Sequence, residues 1–155
     1  MPLSVEYLTS LKESNIYIET GYDKGDGVQT ALDCGFDRII SIEKYTINDR
    51  FEDQPKVIIY HGDSAIVLPQ IIPNYPCFIF LDAHAYATTP IVQELEFLLT
   101  RKYDDLIVID DRHCYEFKKP WGLDPKLFKS ILAKFKSVKE HTTTPKLNDV
   151  FIVRK

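Results

Sequence analysis

The chain has 155 residues, of which 45% are hydrophobic and 27% charged, and this composition predicts one globular domain over residues 1–155. With 19 Lys and Arg against 23 Asp and Glu, the net charge is −4, which argues against general nucleic-acid binding. No run approaches the roughly 20 apolar residues of a transmembrane helix, and the first residues lack the pattern of a signal peptide. These features predict a cytoplasmic protein without a membrane partner, and they leave homo-oligomerisation open.

Short apolar runs alternate with segments of helical character along the chain. A short helix is expected after Ser4, and strands are expected at residues 15–18, 38–42, 56–60, 77–81 and 105–109. Because polar and apolar residues do not alternate within these runs, they predict parallel strands that are covered on both faces. The later segments 137–143 and 149–153 are joined by too few residues for a crossover, so they predict an antiparallel pair.

Capping patterns mark several of the helices. Thr89 before Pro90 predicts an N-cap followed by a proline at the first helical position, and Asp124 before Pro125 repeats the pattern. The helix after Asp124 is expected to bury one stripe of side chains, formed by Leu127, Phe128, Ile131, Leu132 and Phe135. The three cysteines have no CxxC spacing and predict free thiols.

An acidic residue follows each of the five apolar runs. These residues are Glu19, Glu43, Asp63, Asp82, and the pair Asp110 and Asp111. One such residue alone is easily explained as a helix N-cap. The carboxyl ends of parallel strands, however, share one edge of the sheet, where ligands bind in open α/β folds. The repeated pattern therefore predicts an acidic ligand-binding edge.

The loop from Glu19 to Gly27 is rich in both glycine and acid. Its glycines have the spacing G-x3-G-x-G, which differs from the G-x-G-x-x-G of dinucleotide sites. Its carboxylates would also repel a pyrophosphate. S-adenosylmethionine (SAM) has an ammonium, a sulfonium and no phosphate, so this loop favours SAM over a dinucleotide.

Other acids have the positions expected for contacts to a nucleoside. Glu43 lies 24 positions after Glu19, close to the offset of about 20 at which an acid reaches ribose hydroxyls, so it is expected to accept bonds from both hydroxyls. Asp63 is interpreted as an acceptor for the adenine amino group, as an N-cap, or as both. The candidate cofactor-binding residues are Glu19, Gly21, Tyr22, Gly25, Gly27, Glu43, Lys44, Asp63, Ser64 and Asp82.

Seven motifs in this order resemble the class I SAM-dependent methyltransferases, over about two thirds of the chain. They read ETGxxxGD at 19–26, ALxxGF at 31–36, SIE at 41–43, GDSxxxLP at 62–69, LDAH at 81–84, TPxxxELE at 89–96, and a variant of IDDxR at 109–112. The resemblance implies a doubly wound, Rossmann-like α/β sheet with helices on both faces. It also implies seven strands in the order 3-2-1-4-5-7-6, with the last strand antiparallel.

A second resemblance concerns a metal. Asp82, Asp110 and Asp111 are arranged like the acids with which catechol-type O-methyltransferases hold Mg²⁺, which implies a possible magnesium site. In the alternative interpretation, Asp82 contacts the methionine ammonium and Asp110 pairs with Arg112 or Lys118. The catalytic candidates are His84 and His113, as bases, together with Asp110. Three aromatic residues, Tyr86, Tyr115 and Trp121, are expected beside them.

The sequence therefore predicts a SAM-dependent methyltransferase that methylates oxygen on a small hydroxylated acceptor, with or without a divalent metal. Two alternatives stay open at this point. One is a module that binds SAM or its demethylated product without transferring a group. The other is an enzyme that cleaves the cofactor itself.

Overall fold

The computed structural model describes residues 3–85, 88–117, 120–143 and 149–155. The strands are β1 Ile16–Thr20, β2 Arg38–Glu43, β3 Val57–His61, β4 Phe78–Leu81, β5 Leu106–Ile109, β6 Ser137–His141 and β7 Val150–Arg154. The helices are α1 Val5–Leu11, α2 Asp26–Asp33, α3 Ser64–Ile71, α4 Ile91–Thr100, α5 Arg112–Phe117 and α6 Pro125–Leu132, with a 3-10 turn at Pro120–Gly122. Tyr86, Lys118 and the link between β6 and β7 lie outside the described residues.

The strands form one seven-stranded sheet in the order β3-β2-β1-β4-β5-β7-β6. Strands β1 to β5 pair in parallel, whereas β7 is antiparallel to both β5 and β6. The predicted Rossmann-like α/β fold, with its strand order and its reversed last strand, is therefore confirmed. Strand order reverses between β1 and β4, which are neighbours in the sheet, and this reversal creates a crevice at their carboxyl ends.

Both faces of the sheet are covered, as the unbroken apolar runs predict. On one face, Ile18 and Ile79 are fully buried in a core that includes side chains from α3, α4 and α6. On the other face, Tyr17 and Phe78 pack with side chains from α1 and α2. Successive residues of a strand point to opposite faces, so each central strand contributes to both cores.

Most of the predicted caps are present. The side chains of Ser4, Asp63 and Asp124 accept bonds from backbone amides at the starts of α1, α3 and α6. Pro90 is itself the N-cap of α4 rather than its first helical residue, although the Thr89 hydroxyl still accepts a bond from the Ile91 amide at 3.3 Å. The prediction for this cap is thus wrong by one residue.

The predicted stripe of α6 is correct except at one position. Leu127 is 44% exposed, whereas Phe128, Ile131 and Leu132 are buried. Leu127 precedes Phe128 by one residue, and a helix turns about 100° per residue, so it lies at the solvent edge of the stripe.

Among the described residues, no helix combines the length and hydrophobicity needed to cross a membrane. All three cysteines are free thiols.

A buried ion pair joins the segments at the amino ends of β4 and β5. Arg101 donates from Nε to Asp105 Oδ2 at 2.7 Å, and both residues are buried. The same Asp105 accepts a bond from the Cys77 amide at 2.9 Å. Arg101 also donates to the carbonyl oxygens of Pro73 and Tyr75. This network fixes the edge of the sheet opposite to the carboxyl ends.

We predict that Asp105→Ala lowers the free energy of unfolding by about 3–5 kcal/mol, because it leaves a buried guanidinium without its counter-charge. Asp37→Ala is the matched control, since the Asp37–Lys56 pair is exposed and its removal should cost at most about 1 kcal/mol. Urea denaturation of both variants measures the difference. Equal losses in the two variants would contradict this account of the pair.

Candidate functional site

A cavity of about 300 Å³ lies at the carboxyl ends of β1 to β4, beside the point where strand order reverses. Its wall includes Gly21, Glu43, Lys44, Asp63, Ser64 and His84. Five of the ten predicted cofactor-binding residues therefore line it. The other five, Glu19, Tyr22, Gly25, Gly27 and Asp82, are not among the residues of this wall.

The glycine-rich loop after β1 packs closely against other parts of the chain. Gly21 has φ +90°, and a Cβ there would lie 2.8 Å from the carbonyl oxygen of Asp82. A larger residue at this position would push the loop away from the end of β4, so only glycine permits this approach. At Gly27, a Cβ would overlap the carboxylate of Glu19. The loop glycines thus let the chain close around buried polar groups.

Glu43, at the end of β2, holds this loop in place. Its Oε2 accepts bonds from the amides of Tyr22 and Asp23, at 3.0 and 3.2 Å, and its Oε1 accepts one from the Tyr45 amide at 2.7 Å. A carboxylate has about four acceptor positions, so these bonds leave roughly one for a ligand. In this conformation Glu43 has room for one ribose hydroxyl, whereas the sequence predicts bonds to two.

Glu19 does not line the cavity, although Gly21, two residues later, does. Its side chain is 1% exposed and accepts bonds from Ser41 Oγ at 2.7 Å and Tyr17 Oη at 3.1 Å. Burial raises the pKa of Glu19 from 4.5 to about 7, although these two hydrogen bonds oppose the rise. Glu19 is thus a buried polar anchor under the loop, and the direct cofactor contact predicted for it stays a prediction.

Asp63 has the N-cap role that the sequence suggests for it and also pairs with Lys44, whereas its contact to adenine stays a prediction. Its Oδ1 caps α3 by accepting a bond from the Ala65 amide, and its Oδ2 binds Lys44 Nζ at 2.8 Å. The hydrogen bond from Lys44 holds the pKa of Asp63 below its ordinary value. An ionised acceptor therefore lies on the cavity wall, next to Ser64.

A second acidic group lies beside the cavity, at the ends of β4 and β5. Asp82 Oδ1 is 3.7 Å and Asp111 Oδ2 is 3.4 Å from His84 Nε2. Atoms of these three residues lie close enough together to hold one cation. Two of the three predicted metal ligands, Asp82 and Asp111, thus lie together with His84, and the role of Asp110 as a third ligand stays a prediction.

Burial and like charges set the protonation of this group. Burial, followed by repulsion from Asp110 and Asp111, raises the pKa of Asp82 well above its ordinary range. Burial also raises the pKa of Asp110. In contrast, a hydrogen bond from His84 lowers the pKa of Asp111. His84 itself stacks on Trp121 with ring centroids 4.2 Å apart, so the indole fixes the plane of the imidazole.

His113 lies on α5 in a separate arrangement with Asp149. Its Nδ1 is 2.5 Å from Asp149 Oδ2, which also accepts a bond from the His113 amide at 2.9 Å. Asp149 Oδ1 accepts a bond from Arg112 Nε. Although burial opposes it, these hydrogen bonds hold the pKa of Asp149 below its ordinary value. The sequence analysis does not identify Asp149, because its partners lie more than 35 positions away in the chain.

Glu94 is a second residue that the sequence analysis misses. It lies on α4, is 1% exposed, and neither carboxylate oxygen has a hydrogen-bond partner among the described residues. Burial raises the pKa of Glu94 from 4.5 to about 7, and the hydroxyls of Ser64 and Thr20 lie close enough to oppose the rise. Since Ser64 lines the cavity, Glu94 is a buried acid directly behind its wall. Its place inside the TPxxxELE motif is the only sequence signal for it.

Comparison with known proteins gives a fold but no close relative. No protein-family model matches the chain, and no curated protein matches its sequence. SAH-bound methyltransferase PaMTH1 of Podospora anserina matches with a TM-score of 0.69 at 13% identity, over 97% of this chain and 75% of that one. An O-methyltransferase of Bacillus cereus in complex with SAH matches with a TM-score of 0.70 at 19% identity, over 97% and 79%. The chain has the class I methyltransferase fold.

A third match contains a metal. The mycinamycin-pathway methyltransferase MycE, in complex with Mg, SAH and mycinamycin VI, has a TM-score of 0.62 at 14% identity. The match covers 96% of this chain but only 47% of MycE, so this chain spans about half the length of that protein. Similarity at this level of identity establishes the architecture, and the assignment of a ligand rests on the residues of the site.

We predict that Glu94 makes the chain less stable as the pH rises. Its raised pKa means that the folded state keeps a proton that the unfolded state loses first, so stability falls between pH 4.5 and about 7. Relative to wild type, the free energy of unfolding of Glu94→Gln should therefore increase by up to about 3 kcal/mol as the pH rises from about 5 to about 8. Urea denaturation measures this difference. Glu96→Gln, on the exposed side of the same helix, should show no such gain. A stability difference for Glu94→Gln that is independent of pH would disprove the assignment.

Proposed function

We propose that this protein is a SAM-dependent methyltransferase, that it binds SAM in the cavity beside the strand reversal, and that it methylates a hydroxyl of a small acceptor. The observation that carries the proposal is the placement of two carboxylates, Glu43 and Asp63, on the wall of one cavity at this point of the sheet. Its volume of about 300 Å³ is at the lower end of the range of roughly 300–1,000 Å³ for small-molecule sites.

The two carboxylates suit the nucleoside part of the cofactor. Glu43 keeps about one acceptor position for a ribose hydroxyl, while its bonds to the loop amides hold Gly21 against the end of β4. Asp63, ionised by its contact with Lys44, is an acceptor for the adenine amino group. In this proposal the methionine end lies toward Gly21 and the Asp82 group, where negative charge favours an ammonium and a sulfonium.

The cofactor brings a methyl group that is already activated by its sulfonium, so the protein has to orient the acceptor and remove its proton. His84 is placed for the second task because it lines the cavity and its Nε2 lies near two carboxylates. As His84 takes up the proton from the acceptor hydroxyl, the ionised carboxylate of Asp111 stabilises the imidazolium. Stacking on Trp121 keeps the ring from turning away.

A divalent cation could serve in place of a histidine base. The oxygen atoms of Asp82 and Asp111 converge, and negative charge gathered in a partly buried site fits a hard cation such as Mg²⁺. Bound there, Mg²⁺ would lower the pKa of an acceptor hydroxyl. The two versions differ in what His84 does, because its Nε2 binds the cation in one version, whereas in the other Nε2 donates to Asp111 and Nδ1 accepts the proton.

Calorimetry with the purified chain tests the cofactor assignment. We expect SAM and SAH to bind with one site per chain and NAD⁺ not to bind, since the acidic loop repels a pyrophosphate. Incubation with SAM alone then separates the possible reactions. A transferase leaves SAM intact until an acceptor is added, whereas a cofactor-cleaving enzyme consumes it. Absence of binding by both SAM and SAH would refute the proposal.

We predict that Glu43→Ala weakens SAH binding by about 1–3 kcal/mol, or roughly 5- to 150-fold, because a ribose hydroxyl loses its acceptor. Since Glu43 also holds the loop, Glu43→Gln provides a second variant that keeps one carbonyl acceptor, and its loss should be smaller. Glu96→Ala, away from the cavity, is the control and should bind SAH as wild type does. Unchanged SAH affinity in folded Glu43→Ala would rule out the ribose role.

A further inference from the structure

Three potential metal ligands meet at the start of α5, next to the Asp82 group, with which they share Asp111. Atoms of Asp111, His113 and Cys114 all lie within 4.8 Å of one another, and His113 Nε2 is 3.3 Å from Cys114 Sγ. Ligands at about 2.0–2.3 Å from a tetrahedral ion are about 3.5 Å apart. The histidine nitrogen and the cysteine sulfur are therefore already spaced as neighbouring ligands of one ion.

The environment of His113 fits metal binding. Its Nδ1 is bonded to Asp149 Oδ2, and Asp149 is itself 4% exposed and fixed by Arg112. If Nδ1 donates its proton to this carboxylate, the lone pair of Nε2 points toward Cys114. A carboxylate that orients a histidine from behind is the usual outer shell of a protein-bound metal.

We propose that Asp111, His113 and Cys114 form a binding site for a borderline-soft divalent transition ion, of which Zn²⁺ is the representative. The mixed set of oxygen, nitrogen and sulfur ligands suits Zn²⁺, whereas Mg²⁺ prefers oxygen alone. Three protein ligands leave one coordination position for water or for an anionic group of a bound molecule. The contact between Asp111 and His84 places this site beside the cavity.

The same atoms could instead form a nucleophilic Cys–His–Asp arrangement, in which His113 activates the thiol of Cys114. The surrounding charge favours a metal. The carboxylates of Asp111 and Asp149 both lie close to this pair, whereas an activated thiol needs positive charge nearby. A bound cation supplies that charge and also explains why Asp111 converges on the same point.

Spectroscopy of the full chain with Co²⁺, a coloured substitute for Zn²⁺, tests this site. After removal of metals with a chelator, one equivalent of Co²⁺ should produce a thiolate-to-cobalt charge-transfer band, which Zn²⁺ abolishes and excess Mg²⁺ does not. Cys114→Ser should lose the band. Cys34→Ser, which alters another partly exposed thiol, should keep it. Asp149→Asn should weaken Co²⁺ binding by about 10- to 100-fold, because the outer shell is disturbed.

Three results would overturn the proposal. The first is a wild-type protein without a thiolate band, and the second is a band that persists in Cys114→Ser. The third is rapid alkylation of Cys114 by iodoacetamide in the metal-free protein without protection by Zn²⁺, which would indicate a nucleophile. SAH binding, measured on the same samples, reports on the cofactor site separately. A protein that binds SAH but not Co²⁺ would therefore refute the metal site alone.

Discussion

The structure depends on how negative charge is accommodated at one edge of a parallel sheet. Five strands end there with acids, and a buried carboxylate is costly unless donors or cations surround it. Glu43 is surrounded by three backbone amides, Asp63 by Lys44 and a helix amide, and Asp149 by Arg112 and His113. For Glu19 and Glu94 the charge is reduced by protonation instead, because burial raises the pKa of each to about 7.

The remaining acids, Asp82 and Asp110, indicate where a cation would bind. Asp82 and Asp110 have raised pKa values because they are buried close to other carboxylates, and His84 Nε2 lies 3.7 Å from Asp82 Oδ1. A positively charged ligand at this point would relieve their repulsion. The same electrostatic argument applies to a sulfonium, to a metal ion and to a protonated histidine. It therefore explains why the proposed methyl-transfer centre and the proposed ion site lie next to each other around Asp111.

The fold was largely predictable because its signals are local. Unbroken apolar runs predict strands covered on two faces, and the short distance between residues 143 and 149 predicts the antiparallel pair. The direction in which individual acidic side chains point was less predictable. Glu19 shares its face of β1 with Tyr17, two residues earlier, and so points into the core beneath α2 rather than into the cavity. The alternation of side chains along a strand predicts that Glu19 points into the core. Its position at the end of the strand suggests instead that it points into the cavity.

Long-range partners were not predictable from one sequence. His113 is oriented by Asp149, 36 positions later, and the buried Glu94 meets Ser64 and Thr20 only in the folded chain.

The central claim is that the cavity between Glu43 and Asp63 holds the nucleoside of SAM. A crystal structure with SAH tests it most directly. The account predicts ribose density at Glu43, the adenine at Asp63 and the amino-acid end toward Gly21. SAH bound elsewhere on the chain, with this cavity empty, would contradict it.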